Sequence, residues 1–301
     1  MRPFLKWAGG KTQLLNEFCK RLPPGLKTGH ITTYVEPFIG GGAFFFFLAE
    51  RYSFKQCTIC DANQELIIVY RVIRESVNEL AEELASFQSV YQENNERGQE
   101  NLYYETRAAF NRDLPGISID TFQPSWVERA AQIIFLNRTC FNGLFRVNRK
   151  GEFNVPFGRY KNPDILNKDN LNNVAAILKN TRILHGDFTM CRDAIDEHTF
   201  VYLDPPYRPL NHTSSFTSYG KSGFSDADQA RLAIFYRELD SLGAKLMLSN
   251  SDPKNIDPSD SFFDDLYAGY TIERIPARRM INSNGARRGE INELVITNYS
   301  R

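Results

Sequence analysis

Short apolar runs that end in a polar or glycine-rich stretch recur along the chain and predict the strands of an α/β sheet. Their β-branched and aromatic side chains favour extended backbone buried within a sheet. Two consecutive prolines forbid the fourth run to continue beyond Asp204 or to turn directly into a helix. The predicted strands cover residues 33–36, 57–60, 182–185, 199–204, 245–248 and 291–297.

Apolar residues at three- and four-residue steps predict amphipathic helices between these strands. The longest stripe predicts one continuous helix from Gln64 to Phe87. Ser125 and Glu128 have the spacing of a capping box, which predicts the start of a helix that ends near Asn137. Further helices are predicted at residues 43–50, 170–179 and 226–242. This alternation of strands and helices indicates an α/β fold with a doubly wound, Rossmann-like sheet.

The alternation stops within residues 75–162, where the composition becomes polar and then strongly basic. We therefore predict two domains. Residues 1–74 and 163–301 form the domain that carries the sheet, and residues 75–162 form an inserted, mostly helical domain that ends in a basic hairpin.

Composition narrows the class of protein. The chain has 301 residues, 42% of them hydrophobic, and a net charge of zero, so affinity for a polyanion must come from local clusters. The five cysteines show no ligand set for zinc, the four histidines show no metal spacing, and we expect no metal. No apolar run is long enough for a membrane span, and a reducing cytoplasm is the simplest location.

The end of the 199–204 strand presents Asp204, Pro205, Pro206 and Tyr207 where an open α/β sheet meets its ligands. The prolines lack N–H groups, which leaves carbonyl oxygens without neighbouring backbone donors. If Asp204 and the Pro205 carbonyl held the two N–H bonds of a nucleobase amine, they would free its lone pair for attack, while Tyr207 stacks on the base. A strand-to-loop turn with a capping aspartate is the structural alternative.

The first predicted strand ends at Glu36 and runs into a glycine turn, which allows a ligand to approach the backbone closely. A carboxylate here repels a pyrophosphate and attracts a cation, which favours S-adenosylmethionine over a nicotinamide dinucleotide. An acidic residue after the second strand can accept both ribose hydroxyls. Gly-Lys-Thr near the N-terminus lacks the first glycine and the strand of a phosphate-binding loop. The candidate cofactor residues at this end of the sheet are Trp7, Lys11, Glu36, Phe38, Gly40, Gly42 and Asp61.

The segment from Asn137 to Lys161 carries six cations and one anion, a local charge of +5 in a neutral protein. Aromatic and asparagine side chains alternate with these cations. Cations of this kind meet phosphates, Arg and Asn read base edges, and a ring such as Phe141 can wedge a base step. A solvated basic hairpin would leave the apolar residues of this segment unexplained. The pattern therefore predicts binding of double-stranded DNA.

Two loops in the second half of the chain extend these predictions. Residues 208–223 are rich in Ser, Thr and Gly, and we expect them to become ordered on DNA. A second basic loop contains Arg279, Asn282 and Asn284, which are suited to contacts with the DNA backbone.

Five motifs together resemble the Dam-type, D12 class of DNA adenine-N6 methyltransferases. They are Phe-Leu-Lys-Trp-Ala-Gly-Gly-Lys, Glu-Pro-Phe-Ile-Gly-Gly-Gly, Asn-Gly-Leu-Phe-Arg, Gly-Glu-Phe-Asn-Val-Pro-Phe-Gly and Asp-Pro-Pro-Tyr, in the family's order. The similarity runs from Pro3 to about Tyr299.

The resemblance implies S-adenosylmethionine contacts by Trp7, Lys11, Asp61 and Asp204. Asp187 would accept from the amino group of the cofactor adenine, and Phe188 would pack on its ring. The resemblance also implies recognition of GATC sites, with Lys6 at the outer guanine and Arg146 at the guanine of the other half-site. Phe141 replaces a tyrosine found in many members, so a hydroxyl contact would be missing. The candidate DNA-binding residues are Lys6, Arg138, Phe141, Asn142, Leu144, Arg146, Asn148, Pro156, Arg279, Asn282 and Asn284.

We therefore expect a monomeric enzyme that flips an adenine out of duplex DNA and methylates N6 by direct displacement. Alternative targets for a methyltransferase of this kind are RNA adenine, cytosine N4 and a protein glutamine. Two other classes are a catalytically idle DNA-binding regulator and a nicotinamide oxidoreductase.

Overall fold

The structure is a computed structural model and describes residues 1–7, 9–112, 119, 121–208, 224–278 and 290–300. Three predicted DNA contacts, Arg279, Asn282 and Asn284, lie outside these residues. Positions 209–223 of the predicted DNA-ordered loop also lie outside them.

One mixed sheet forms the centre of the described chain. Its strands are β1 (Thr33–Glu36), β2 (Gln56–Asp61), β3 (Thr181–His185), β4 (Thr199–Leu203), β5 (Lys245–Ser251), β6 (Thr271–Arg278) and β7 (Glu290–Thr297), in the order β3-β2-β1-β4-β5-β7-β6. Strands β1 to β5 pair in parallel, and β7 is antiparallel to both β5 and β6. The strand order reverses between β1 and β4, which is the place where open α/β sheets bind their ligands.

The six predicted strands are confirmed, and β6 is an addition that the sequence analysis did not predict. This strand lies at the edge of the sheet and contains Glu273, Arg274 and Pro276. Charged residues and proline are common on edge strands, because one side of such a strand has no ladder to complete. They also hide the strand from a search for apolar runs.

Ten helices occupy the described residues. They are α1 (Leu15–Cys19), α2 (Gly25–Thr28), α3 (Ala43–Ala49), α4 (Gln64–Glu75), α5 (Val77–Glu93), α6 (Glu96–Arg112), α7 (Ser125–Thr139), α8 (Lys168–Leu178), α9 (Asp226–Ser241) and α10 (Phe262–Leu266). Short 3-10 segments cover Phe141–Gly143, Phe188–Ala194 and Pro253–Asn255.

Two details of the predicted helices are wrong. The stripe from Gln64 to Phe87 belongs to two helices, because Ser76 between α4 and α5 has φ −142° and ψ 46°. Helix α7 starts at Ser125 itself after Pro124, and no side chain caps it. A capping box does open α9, where Ser225 and Asp228 bond reciprocally.

The helices of residues 75–162 share a core with the sheet. A continuous cluster of buried residues contains Tyr34 of β1, Leu66 of α4, Leu84 of α5, Tyr103 of α6 and Trp126 of α7. Helix α9 covers a second cluster with residues of β4 and β5. The mixed α/β architecture is thus confirmed, while an independent inserted domain stays a prediction.

Candidate active site

Asp204 lies immediately after β4, between the ends of β1 and β5. Its side chain is 18% exposed, and its Oδ1 atom accepts from the Lys11 ammonium at 2.9 Å and from the Ser249 hydroxyl at 3.0 Å. Burial raises the pKa of Asp204 above its ordinary value, while the Lys11 charge and these two hydrogen bonds act in the opposite direction. The carboxylate is therefore held in one orientation at the edge of the sheet.

Tyr207 faces the same group. Its hydroxyl donates to Oε2 of Glu293 at 2.5 Å, and the Lys11 ammonium lies 4.2 Å from the centre of its ring. The intervening turn is fixed by Gln229, whose side-chain amide donates to the Pro206 carbonyl at 3.1 Å. Lys11 thus contacts both the carboxylate and the aromatic ring that the sequence assigns to the target base.

Acidic residues also lie at or shortly after the ends of β1, β2 and β3. Glu36 is the last residue of β1, Asp61 is the last residue of β2, and Asp187 follows β3. Together with Asp204 they form a row of carboxylates at the carboxyl edge of the sheet. Such a row suits a ligand with positive charge and hydroxyl groups.

Glu36 is 3% exposed and accepts from the Tyr34 hydroxyl at 2.6 Å. Burial raises its pKa well above the usual range, and the negative charge of Asp204 adds to this shift. A cationic ligand beside Glu36 would favour its charged form. The glycine turn beside it therefore fits a cation better than a pyrophosphate.

Asp61 holds this turn in place. Its two carboxylate oxygens accept from the Gly40 N–H at 3.0 Å and from the Asn63 N–H at 2.8 Å. Gly42 has φ 71°, and a Cβ there would lie 2.5 Å from the Tyr70 hydroxyl. Glycine is therefore required at this position for backbone conformation and for packing, independently of any ligand.

Trp7 lies on the other side of the turn. A Cβ at Gly40 would be 3.1 Å from Cδ1 of Trp7, so the indole packs directly on the glycine turn. The indole also stacks on Phe145 at a centroid distance of 5.2 Å. The predicted cofactor residue Trp7 thus joins the glycine turn to the basic segment.

A comparison with known proteins identifies the class to which the chain belongs. The profile of the family described as D12 class N6 adenine-specific DNA methyltransferase matches residues 7–281. The chain belongs to this family.

Three relatives show how far the similarity extends. The methyltransferase is 51% identical over 300 residues to the type II methyltransferase M.MjaIII of Methanocaldococcus jannaschii, with 99% of both chains covered. It is 41% identical to the type II methyltransferase M1.LlaDCHI of Lactococcus lactis subsp. cremoris, with 99% of this chain and 96% of the relative covered. It is 33% identical to the DNA adenine methylase of Escherichia coli strain K12, with 98% and 94% covered.

The methyltransferase is therefore a DNA adenine methyltransferase, which implies DNA as its substrate and S-adenosylmethionine as its methyl donor. The predicted enzyme class is confirmed, and the alternative classes of an idle regulator and a nicotinamide oxidoreductase are set aside. Within the described ranges, no helix could span a membrane. The same residues contain no group of three or more His, Cys, Asp or Glu side chains suited to a metal ion.

Asp187 already has strong partners in the methyltransferase. The Arg231 guanidinium donates to both of its oxygens at 2.9 and 2.8 Å, which lowers the pKa of Asp187. Its Oδ1 also accepts from the N–H and hydroxyl of Thr189. Phe188 is buried and packs against Phe38, with the two ring centroids 5.5 Å apart. Any bond from Asp187 to the cofactor must therefore be shared with Arg231.

The basic segment of the methyltransferase is less regular than the predicted hairpin. It is joined by two isolated antiparallel bridges, Cys140 to Phe157 and Val147 to Phe153. Phe141 is 54% exposed, and Asn142 beside it has φ 61°. These two side chains therefore lie at an exposed tip. Leu144 is partly exposed and Pro156 is exposed, and the Pro156 carbonyl accepts from the Phe141 N–H at 2.8 Å.

Arg146 is exposed and oriented by a neighbour. Its Nε donates to Oδ1 of Asn154 at 2.8 Å. Lys6 is also exposed, and a Cβ at Gly143 would lie 2.4 Å from Cδ of Lys6. The structure therefore brings Lys6 against the loop that contains Asn142 and Leu144.

Two predicted DNA contacts have local structural partners. The Arg138 guanidinium donates to the Phe4 carbonyl at 2.8 Å and is largely buried, which lowers its pKa. Asn148 donates to Glu152, and its Oδ1 accepts from the N–H groups of Lys150 and Glu152. These contacts favour a structural role for Arg138 and for Asn148.

Sequence reasoning missed three residues that hold the site together. Ser249 donates to Asp204, and Glu293 accepts from Tyr207. Both residues lie on strands whose existence the sequence predicted. Asn137 is buried in α7, exchanges two hydrogen bonds with the backbone of Lys6, and donates a third to the Gly143 carbonyl. Only polar residues inside or just past buried elements could have indicated them.

Proposed function

We propose that this DNA adenine methyltransferase acts on N6 of adenine in GATC sites of double-stranded DNA, after the adenine has been flipped out of the duplex. The observation that carries the proposal is that Lys11 joins Asp204 and Tyr207 at the end of β4, where its ammonium lies 2.9 Å from Oδ1 of Asp204 and 4.2 Å from the centre of the Tyr207 ring. GATC as the target rests on the motif resemblance and on the neighbourhood of Lys6 and the Asn142–Arg146 loop.

The row of acidic side chains supports binding of S-adenosylmethionine, which carries a sulfonium and an ammonium group. Asp61 would hold the ribose hydroxyls, Glu36 would lie near the ammonium, and Lys11 would meet the carboxylate. Trp7 and the residues of the glycine turn, Gly40 and Gly42, would surround the ligand, with Phe38 and Phe188 beside the adenine ring. When bound, the cofactor would supply an electrophilic methyl group and leave as a neutral thioether, and the methylated N6 would afterwards lose one proton.

Asp204 would accept one N–H of the target amino group, and the Pro205 carbonyl would accept the other. Both bonds draw the nitrogen toward tetrahedral geometry, so that its lone pair points at the methyl group. Tyr207 would stack on the flipped base, because stacking offsets part of the few kcal/mol that unstacking costs. The acceleration then comes from alignment and from preorganised acceptors.

Recognition would use the exposed face of the basic segment. Arg146 is suited to the bidentate contact with guanine O6 and N7, and Lys6 to the outer guanine. Phe141 would fill the gap left by the flipped base. Asn142, Leu144 and Pro156 would take the remaining base contacts, and Arg279, Asn282 and Asn284 would meet the DNA backbone.

A plasmid methylated by the purified enzyme tests the proposal. It should become resistant to an endonuclease blocked by N6-methyladenine in GATC, while sites of other sequence stay sensitive. Labelled methyl groups should enter a GATC duplex in preference to RNA or to a protein glutamine. Methylation of cytosine, or of adenine outside GATC at an equal rate, would contradict it. The monomeric state and the cytoplasmic location stay predictions, and sedimentation of the free enzyme tests the former.

A further inference from the structure

Two buried hydroxyl groups, those of Tyr202 and Ser249, form a chain of hydrogen bonds that ends at the Asp204 carboxylate. The Tyr202 hydroxyl lies 2.8 Å from Oγ of Ser249, and Oγ of Ser249 donates to Oδ1 of Asp204 at 3.0 Å. Because the serine proton is used on the carboxylate, the serine oxygen accepts from the tyrosine. Ser249 and Tyr202 are 0% and 1% exposed, so water does not replace either group.

The sheet fixes where the Ser249 hydroxyl lies. Leu203 of β4 pairs with Leu248 of β5, so the next positions, Asp204 and Ser249, are adjacent. On its other side Ser249 pairs with Val295 of β7. The serine is therefore anchored in the middle of the sheet, whereas Asp204 begins the turn that contains the two prolines.

Both described donors to Asp204 reach the same atom. Lys11 and Ser249 both donate to Oδ1 of Asp204. Within the described ranges, no residue donates to Oδ2. An acceptor with one occupied oxygen and one open oxygen presents a single direction to a substrate. We propose that Ser249 is a positioning residue, which turns Oδ2 of Asp204 toward the amino group of the target adenine. This inference rests on the proposed role of Asp204.

A purely structural role would give a different result on mutation. In that case Ser249 only satisfies the buried Tyr202 hydroxyl, and Ser249→Ala harms the protein by leaving that group unpaired. The double variant Ser249→Ala with Tyr202→Phe removes both groups and restores the balance. Stability should then return, but the orientation of Asp204 should not.

The pH profile gives a second distinction. The Ser249 hydrogen bond is one of the contacts that lower the pKa of Asp204, so its loss should raise that pKa further. Other charged or titratable groups around this carboxyl are unchanged in the variant. They are Lys11 from the N-terminal segment, Glu36 from β1, Tyr202 from β4, Tyr207 from the turn and Glu293 from β7.

The experiment compares single-turnover methylation of a GATC duplex, DNA affinity, melting temperature and pH profile for five proteins. They are the wild type, Ser249→Ala, Ser249→Thr, the double variant with Tyr202→Phe, and Ser241→Ala as a matched control on the exposed end of α9. Ser249→Ala should slow transfer by about tenfold to a hundredfold, as expected for a misplaced acceptor, with unchanged DNA affinity. Its acid limb should move to higher pH, and Ser249→Thr should recover most of the rate.

Two results would overturn the inference. One is a normal rate and an unchanged acid limb for Ser249→Ala. The other is a full recovery of rate in the double variant, which would leave Ser249 with a structural role only. Asp204→Ala separates this inference from the proposed function. If that variant is inactive while Ser249→Ala is normal, only the positioning role fails, whereas an active Asp204→Ala variant removes the proposed function as well.

Discussion

The end of β4 and the basic segment differ in how their side chains are held. At the end of β4, Asp204, Lys11 and Tyr207 satisfy one another and are supported by strands of the sheet. In the basic segment, Phe141 and Arg146 are exposed, and each is hydrogen-bonded to a neighbour in the same segment, Phe141 to the Pro156 carbonyl and Arg146 to Asn154. A buried, mutually bonded group favours one fixed geometry, while an exposed one can adjust to a partner. Chemistry and sequence choice should therefore be separable by mutation.

The buried Asn137 amide connects the basic segment to the N-terminal segment, which also contains Lys11. It bonds to the backbone of Lys6 and to the Gly143 carbonyl, and so links the N-terminal segment to the exposed loop. Trp7 adds a second link, because it packs on the glycine turn and stacks on Phe145. Residues that are far apart in the sequence are thus neighbours in the fold.

Asp204→Ala should give the largest effect. We expect methyl transfer to fall by about 10² to 10³, the usual cost of removing one preorganised polar group. Affinity for the GATC duplex should stay within about twofold, because Asp204 lies outside the basic segment. Single-turnover kinetics and a binding titration measure the two quantities. Asp169→Ala is the matched control, because Asp169 is exposed in the first turn of α8. A normal rate for Asp204→Ala would refute the role of Asp204 as an acceptor for the target amine.

Arg146→Ala tests the exposed region. Loss of a bidentate contact should reduce discrimination at one guanine by about 1 to 3 kcal/mol, while the rate on the best site changes less. Methylation rates on GATC and on duplexes with single substitutions give this ratio. Arg149→Ala is the control, since Arg149 is an exposed cation of the same segment. Equal weakening on every sequence would make Arg146 a phosphate contact instead.

Tyr207→Phe tests the link between Tyr207 and Glu293. The ring remains, but the hydroxyl anchor is lost, and we expect the rate to fall by about fivefold, or roughly 1 kcal/mol. Tyr270→Phe is a matched control, because the Tyr270 hydroxyl donates to Asp240 away from the site. A rate loss of the same size in both variants would assign the effect to general stability.

Lys11→Met should produce a change of pH profile. The Lys11 charge lowers the pKa of Asp204 against the raising effect of burial, so its removal should raise that pKa. Below its pKa, the carboxyl carries a proton and no longer acts as a charged acceptor, and kcat/KM falls as the pH drops through this value. The acid limb of kcat/KM, which reports the free enzyme, should therefore move to higher pH in the variant. An acid limb at lower pH would contradict this account.

The sequence analysis predicted those strands and helices that have a distinct local sequence pattern. β4 ends at Leu203, one residue before Asp204, and the two prolines that follow Asp204 predict this end from the sequence. The apolar stripe continues across Ser76, and charged residues and a proline interrupt the apolar positions of β6, so apolar periodicity missed both the helix break and the edge strand.

The candidate site divides in the same way. Asp204 and Tyr207 belong to a motif, whereas Ser249 and Glu293 act through contacts that only the sheet brings together. Arg138 carries the same charge as the cations around it, but its helix directs it to the Phe4 carbonyl. Charge counts predict a basic surface without indicating which cations point outward.

A structure of the enzyme with a GATC duplex and a non-reactive cofactor analogue tests the central claim most directly. We predict that the target adenine lies outside the duplex, with N6 within hydrogen-bond distance of Oδ2 of Asp204 and of the Pro205 carbonyl, and with its ring against Tyr207. An adenine that remains stacked in the helix, with the Asp204 carboxylate directed away from every nucleotide, would contradict the claim.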